Sequence, residues 1–271
     1  MLLAAAFRRG AFAGGEEDRG DDDVSRWIRR FHKAPDAPVR LVCFPHAGGS
    51  AGTFVQLSAA IRRRAEVLAV QYPGRQDRFG EPCATGADEV VDAALHALAQ
   101  PEHDDPRPLG LFGHSMGAVL AFETARRMER AGTRPAALFV SARQGPSLPW
   151  PPPGVPTLHD ADPARILNEL RLLGGSAAEL LTSPEVMEYA LPALRADYRL
   201  LHAYAYQSAQ PLQCPVIGLA GADDPRVPGD GVRAWARETR GPFAHHVLPG
   251  GHFYIENELP QVTEIITDAL A

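Results

Sequence analysis

Lysine is almost missing from this chain. Lys33 is the one lysine among 27 basic residues, and the arginines that replace it read as the coding bias of a GC-rich genome. Basic charge is not in excess either. Acidic residues number 33 and the formal net charge is −6, which argues against a nucleic-acid binder. Cysteine is scarce: Cys43, Cys83 and Cys214 are the only three. The number is odd and no C-x-x-C occurs, so neither a disulfide framework nor a metal site is expected. Buried free thiols in a reducing cytoplasm fit better. Long hydrophobic runs are absent too. None approaches the ~20 residues that span a membrane, so no membrane association is expected. The start, MLLAAAFRRGAFAGG, is a poor signal peptide, because its apolar stretch is short and its arginines follow instead of preceding it. EEDRGDDD comes next. Residues 1–24 read as a disordered extension.

What is present is globular composition over 271 residues, 45% hydrophobic and 22% charged. That length suits one large α/β domain or two small ones. From Pro38 the chain alternates. Apolar strand-like runs stand at 39–44, 66–71, 109–114, 136–142, 214–221 and 244–249. Helical patterns lie at 53–64, 86–100, from Met116 to Gly132, in DGVRAWARET, and from about Asn257 onward. Fully apolar strands alternating with amphipathic helices predict a mostly parallel sheet with helices on both faces. The alternation breaks at about 143–213. There a proline-rich loop leads into two helical stretches with no strand between them. Such an insertion either adds core or forms a lid over the strand ends, where open α/β sheets bind ligands. Its place in the sheet favours the lid.

The form G-x-S-x-G occurs twice, around Ser115 in GHSMG and around Ser50 in GGSAG. A nucleophile elbow needs a strand, a sharp turn and a helix. Ser115 has all three, and two βα units before it centre its strand in the sheet. Ser50 follows the first clear strand, where an elbow would have little sheet on one side. FPHAGGSAGTF instead resembles the oxyanion loop of α/β hydrolases. Two backbone N–H groups would then hold a tetrahedral oxyanion, those of Met116 and Ala47. His46 either braces that loop or simply packs.

In this fold the triad runs Ser, then Asp or Glu, then His. LPGGHFYIENE puts His252 on a loop past the last strand, so His252 is the expected general base. His245 and His246 lie within the strand, and His114 has a packing role beside the nucleophile. After the penultimate strand, GADDPRVP offers Asp223 and Asp224. The G-x-x-D spacing with Val227-Pro228 beyond favours Asp224, with Asp223 as the alternative. Such a triad works through an acyl-enzyme and requires no cofactor and no metal.

FPHAGG, YPGRQDR, GHSMGA, GADD and LPGGHFYI, in that order, resemble the type II thioesterases of polyketide and nonribosomal peptide synthesis. The resemblance covers about 26–271. It implies an α/β-hydrolase fold with a helical lid over 25–271, acting on acyl thioesters of carrier-protein phosphopantetheine. The implied partners are acyl or peptidyl carrier proteins, and the implied task is removal of wrong or stalled acyl groups in the cytoplasm. Ser115, Asp224, His252 and the Met116 and Ala47 amides carry over by motif position. GHSMG in place of GHSAG, and the lack of a recognisable carrier domain, favour the editing type. The stretch 71–82 either rims the site or is a Pro-Gly turn. Arg75 and Arg78 in it are candidates for contacts with an acidic carrier, as are Arg62, Arg63 and Arg64. Rival readings are a generic carboxylesterase or lipase, a product-releasing thioesterase and a non-catalytic binding protein.

Overall fold

The computed structural model describes residues 26–103, 105–151, 157–175 and 182–271. The expected extension at 1–24 lies outside them. Seven strands form one sheet: β1 (Ile28–Arg29), β2 (Val39–Phe44), β3 (Ala65–Val70), β4 (Leu109–His114), β5 (Leu138–Ser141), β6 (Val216–Gly221) and β7 (Phe243–Leu248). Their order across the sheet is β1-β3-β2-β4-β5-β6-β7. Every neighbouring pair is parallel except β1 with β3. β4 is therefore the middle strand, with three on each side.

The fully apolar strands are buried because both faces are covered. Alternate residues of β2 go to opposite cores: Val42 and Phe44 pack with one cluster, Leu41 and Cys43 with the other. On the first face lie α2 (Ala87–Leu98) and α3 (Met116–Arg130), and on the second α1 (Val55–Ile61) and the closing helix α7 (Leu259–Ala269). Between β5 and β6 the inserted segment contributes α4 (Pro163–Leu173) and α5 (Pro184–Ala203). These helices build a small apolar cluster of their own, with Ile166, Leu170, Met187 and Leu194 at its centre.

Two expectations are corrected. β1 was not foreseen, because two residues show no periodicity; Trp27 and Ile28 are nonetheless buried there. It means that β2 has two strands outside it, so the site after β2 does not lack sheet on one side. DGVRAWARET is not one helix. A short α6 (Gly229–Arg233) passes into a 3-10 turn, Ala234–Glu238. The buried Trp235 indole donates to the Arg143 carbonyl at 2.7 Å there. The closing helix, expected from about Asn257, runs from Leu259 with Pro260 in its first turn, where a proline costs no hydrogen bond.

The crossing of β2, β4 and α3 is tight. A Cβ on Gly117 would lie 1.9 Å from the Phe44 carbonyl oxygen, and one on Gly113 would lie 2.0 Å from the Gly117 oxygen. Both obstacles are backbone and cannot rotate away. Gly117→Ala should therefore destabilise the protein by about 3 kcal/mol or more, as severe overpacking does. Gly80→Ala, with nothing within 4 Å of its Cβ, should stay within about 1 kcal/mol. Urea unfolding of the two variants checks the difference.

Candidate active site

The chain leaves β4 at His114 and enters α3 at Met116, so Ser115 alone makes the turn. Its backbone sits at φ 55°, ψ −112°, a conformation that L-residues rarely adopt. The Ser115 N–H donates to the Ser141 carbonyl on β5 at 2.8 Å, which pins the turn to the sheet. Ser50 differs. Its backbone is extended, at φ −134°, ψ 173°, and it precedes a 3-10 turn. Of the two G-x-S-x-G copies, only the one at Ser115 forms an elbow.

His252 comes from the loop after β7 and Asp224 from the loop after β6, both at the carboxyl ends of parallel strands. The Ser115 hydroxyl donates to His252 Nε2 at 3.0 Å, and His252 Nδ1 donates to Asp224 Oδ2 at 2.7 Å. The Asp224 side chain is fully buried. Its other oxygen accepts from the Arg226 and Val227 N–H groups at 2.8 and 3.1 Å. Asp223 is exposed, and its N–H joins the two loops by donating to the Gly250 carbonyl at 2.9 Å. The structure thus brings Ser115, His252 and Asp224 into one hydrogen-bonded line and leaves Asp223 outside it.

Met116 is the first residue of α3, so its N–H is among the four that have no acceptor within a helix. Ala47 follows β2, the strand beside β4, and lines the same cavity as Ser115 and His252. Both amides thus belong to segments that meet at the serine. The cavity over Ser115 measures about 80 Å³ and is mainly apolar, with Trp150, Leu158, Leu170, Leu173 and Leu201 in its wall. A second cavity of about 260 Å³ shares His46, Ala47, Leu170 and Phe253 with it. That chamber runs between the oxyanion-type loop and α5, past Val186 and Tyr189. Residues of the insertion therefore wall both cavities, Leu158, Leu173 and Leu201 the first and Val186 and Tyr189 the second. No group of three His, Cys, Asp or Glu side chains among the described residues is arranged to hold a metal ion. No helix among them is long and apolar enough to cross a membrane.

Several residues of the site had no sequence signal. Glu169 on α4 forms a two-pronged pair with Arg226, at 2.6 and 2.7 Å, in the cavity wall beside Asp224. Asp197 on α5 does the same with Arg75, at 2.6 and 2.9 Å. Each lid helix is thus tied to a loop of the site by an arginine. This corrects the expectation for Arg75 and Arg78 as carrier contacts. Both are buried, Arg78 pairing with Glu81 at 2.5 Å and lying over the Trp27 ring. Arg62, Arg63 and Arg64 are exposed but stand just before β3, at the opposite end of the sheet from the site.

His114 is fully buried. It faces the Ser141 hydroxyl at 2.8 Å, and Ser141 in turn meets the Tyr254 hydroxyl at 2.5 Å. Burial holds the His114 imidazole well below its usual range, with His252 and His46 adding to the effect. Burial also pushes His46 down to about 4, again helped by His252 and by Arg75. His46 stands edge-on to the Phe253 ring, with centroids 4.9 Å apart.

A family model for the thioesterase domain matches residues 39–270. The chain is 44% identical over 249 residues to thioesterase PikA5 of Streptomyces venezuelae, covering 92% of this chain and 86% of PikA5. It resembles the solved structure of BorB, a type II thioesterase from the borrelidin biosynthetic cluster. There the TM-score is 0.82 and the identity 42%, over 91% of this chain and 98% of BorB. For RedJ, the thioesterase of the prodiginine biosynthetic pathway in Streptomyces coelicolor, the TM-score is 0.79 and the identity 32%, over 88% of each chain.

The depressed His46 gives the fold a defined acid sensitivity. Its folded value, about 4, lies below the unfolded value of about 6.5. The unfolded chain therefore binds the proton first, and stability falls as pH drops from about 6.5 toward 4. His46 should account for about 2 kcal/mol of the loss between pH 7 and 4.5. Urea unfolding across that range should show a flatter acid limb for His46→Gln than for the parent protein.

Proposed function

This chain belongs to the thioesterase domain family, and on that premise we propose that it hydrolyses acyl thioesters on carrier-protein phosphopantetheine. The place of action is the cytoplasm, in polyketide or nonribosomal peptide synthesis, and the task is to clear wrong or stalled acyl groups. The working unit is one domain over 25–271, with 143–213 as its lid. The observation that carries the reading is the hydrogen-bonded line Ser115–His252–Asp224 at the floor of a small apolar cavity.

The chemistry follows from that line. Ser115 Oγ attacks the thioester carbonyl while His252 Nε2 takes its proton. Asp224 holds the imidazole in the tautomer that leaves Nε2 free, and stabilises the imidazolium that forms. The carbonyl oxygen becomes an oxyanion and accepts from the Met116 and Ala47 N–H groups. Collapse breaks the C–S bond, and His252 returns the proton to the departing thiolate. Ser115 now carries the acyl group as an ester. Water repeats the sequence and releases the carboxylic acid, restoring Ser115. The small volume over Ser115 supports short acyl groups. The arm of phosphopantetheine is long and thin and can reach beneath a lid, while the carrier body stays outside. Exposed Arg165, Arg171 and Arg199 on the lid helices offer contacts to an acidic body there.

Turnover of a short acyl thioester tests the roles. Ser115→Ala should lower kcat by roughly 10⁴ or more, and Ser50→Ala should keep most activity. Asp224→Asn should cost roughly 10⁴ by favouring the wrong tautomer, whereas Asp223→Asn should cost little. A serine-directed phosphonate that labelled Ser50 would reject the assignment.

Substrate class is tested by kcat/KM for one acyl group on a carrier protein and on coenzyme A, at several salt concentrations. Efficiency should be higher on the carrier, and added salt should erode the charge-steered part of that gain. Equal efficiency at every salt concentration would mean that the carrier body is not recognised.

A further inference from the structure

We infer that Asp197, a lid residue, and its partner Arg75 are positioning residues for the oxyanion loop. The inference rests on the reading of the Ala47 N–H as an oxyanion donor. That N–H shares a rigid peptide plane with the His46 carbonyl, and the two point in opposite directions. The His46 carbonyl accepts from the Gly49 N–H at 2.9 Å, closing a tight turn over 46–49. The set of that turn therefore decides where the Ala47 N–H points.

The turn is gripped at both of its glycines. The Gly48 N–H donates to Asp197 Oδ2 at 2.7 Å, and the Gly49 carbonyl accepts from Arg75 Nη1 at 3.2 Å. Arg75 binds both oxygens of Asp197 and so fixes the carboxylate that holds Gly48. Both side chains are only 6% exposed. Burial alone would lower the Arg75 affinity for its proton, and Asp197 outweighs that and raises it. α5 also presses on the turn directly. Gly48 has φ +78°, and a Cβ there would lie 2.4 Å from Leu194 Cδ2. The far side is secured by the same segment that carries Arg75. The Tyr72 hydroxyl donates to the Pro45 carbonyl at 3.0 Å, and Gln71 accepts from the Ala51 N–H at 2.9 Å.

An ion pair that served stability alone could be exchanged for apolar groups of similar volume at little cost. This one also supplies the acceptor for a backbone N–H within the turn. The oxyanion donor is thus set in part from α5, which supplies the acceptor for the Gly48 N–H.

The test compares the parent protein with Asp197→Asn and with the apolar exchange Arg75→Met/Asp197→Leu. Each is assayed for thermal stability, for kcat per titrated serine, for KM, and for inhibition by a trifluoromethyl ketone analogue of the acyl-pantetheine. The exchange should melt near the parent temperature yet lose roughly 10- to 100-fold in kcat, with KM within about 3-fold. Removing one oxyanion donor costs roughly 10²- to 10³-fold, and a donor that is displaced but still present costs less. The ketone should weaken by the same factor as kcat, since its tetrahedral oxygen needs the same donor. Asp197→Asn should lose at least about 10-fold in both readouts. It decides the matter by those readouts if the exchange fails to fold. Undiminished kcat per titrated serine in a folded variant would overturn the inference. So would a fall in kcat with ketone affinity unchanged. Ser115→Ala run alongside separates the two levels. If it is inactive while the Asp197 variants keep full kcat, only the positioning role fails. If it keeps turnover, the underlying reading fails and takes this one with it.

Discussion

The Phe44 carbonyl oxygen lies against the Cα of Gly117, and much of the molecule is arranged by that contact. It brings the last residue of β2 onto the first turn of α3, backbone against backbone. The helix can then rise from the end of β4 at once, which leaves Ser115 alone on the turn. The residues directly after Phe44 are Pro45, His46 and Ala47. One contact therefore fixes both the height of the serine and the starting point of the loop beside it. The loops after β6 and β7 need only extend the same sheet edge to deliver Asp224 and His252. Side chains finish the site, but backbone packing locates it.

The lid has the opposite character. Its apolar cluster is small, and side chains carry much of its attachment to the rest of the domain. Arg226 ties α4 to the acid loop, and Arg75 ties α5 to the turn after β2. Arginine suits this work because its planar fork can hold both oxygens of a carboxylate at once. Apolar contact adds to these pairs: Leu200 and Leu201 of α5 join the main core, Tyr189 stacks on Phe79, and the Tyr204 hydroxyl donates to Glu123 at 2.8 Å.

How much of this was legible in the sequence depends on range. The parallel sheet was legible because both of its faces are covered, which turns each strand into an unbroken apolar run. The elbow was legible because only glycine fits at 113 and 117. Asp224 stood out from Asp223 by its spacing from Gly221. What escaped is non-local or too short. Arg75 meets Asp197 across 122 residues, and neither residue carries a local mark of the other. GRQDR left two readings open, a rim of the site or a turn with solvated charges, because isolated arginines are usually exposed. β1 pairs through two residues, a single strand period that has no room to repeat. From Val232 to Glu238 the segment has a composition that suits a helix. It departs from a helix where Trp235 finds the Arg143 carbonyl, a demand made by the core.

Ser115 itself occupies a conformation that glycine would adopt at no cost. The strain at φ 55° is small beside the packing that imposes it, yet the seryl side chain makes the turn harder to form than it need be. Selection for stability alone would drift this position toward glycine, and the molecule would gain durability as it lost its hydroxyl. The conflict between persistence and activity is therefore concentrated at a single residue in the middle of the sheet, where the surrounding core is stiff enough to absorb it.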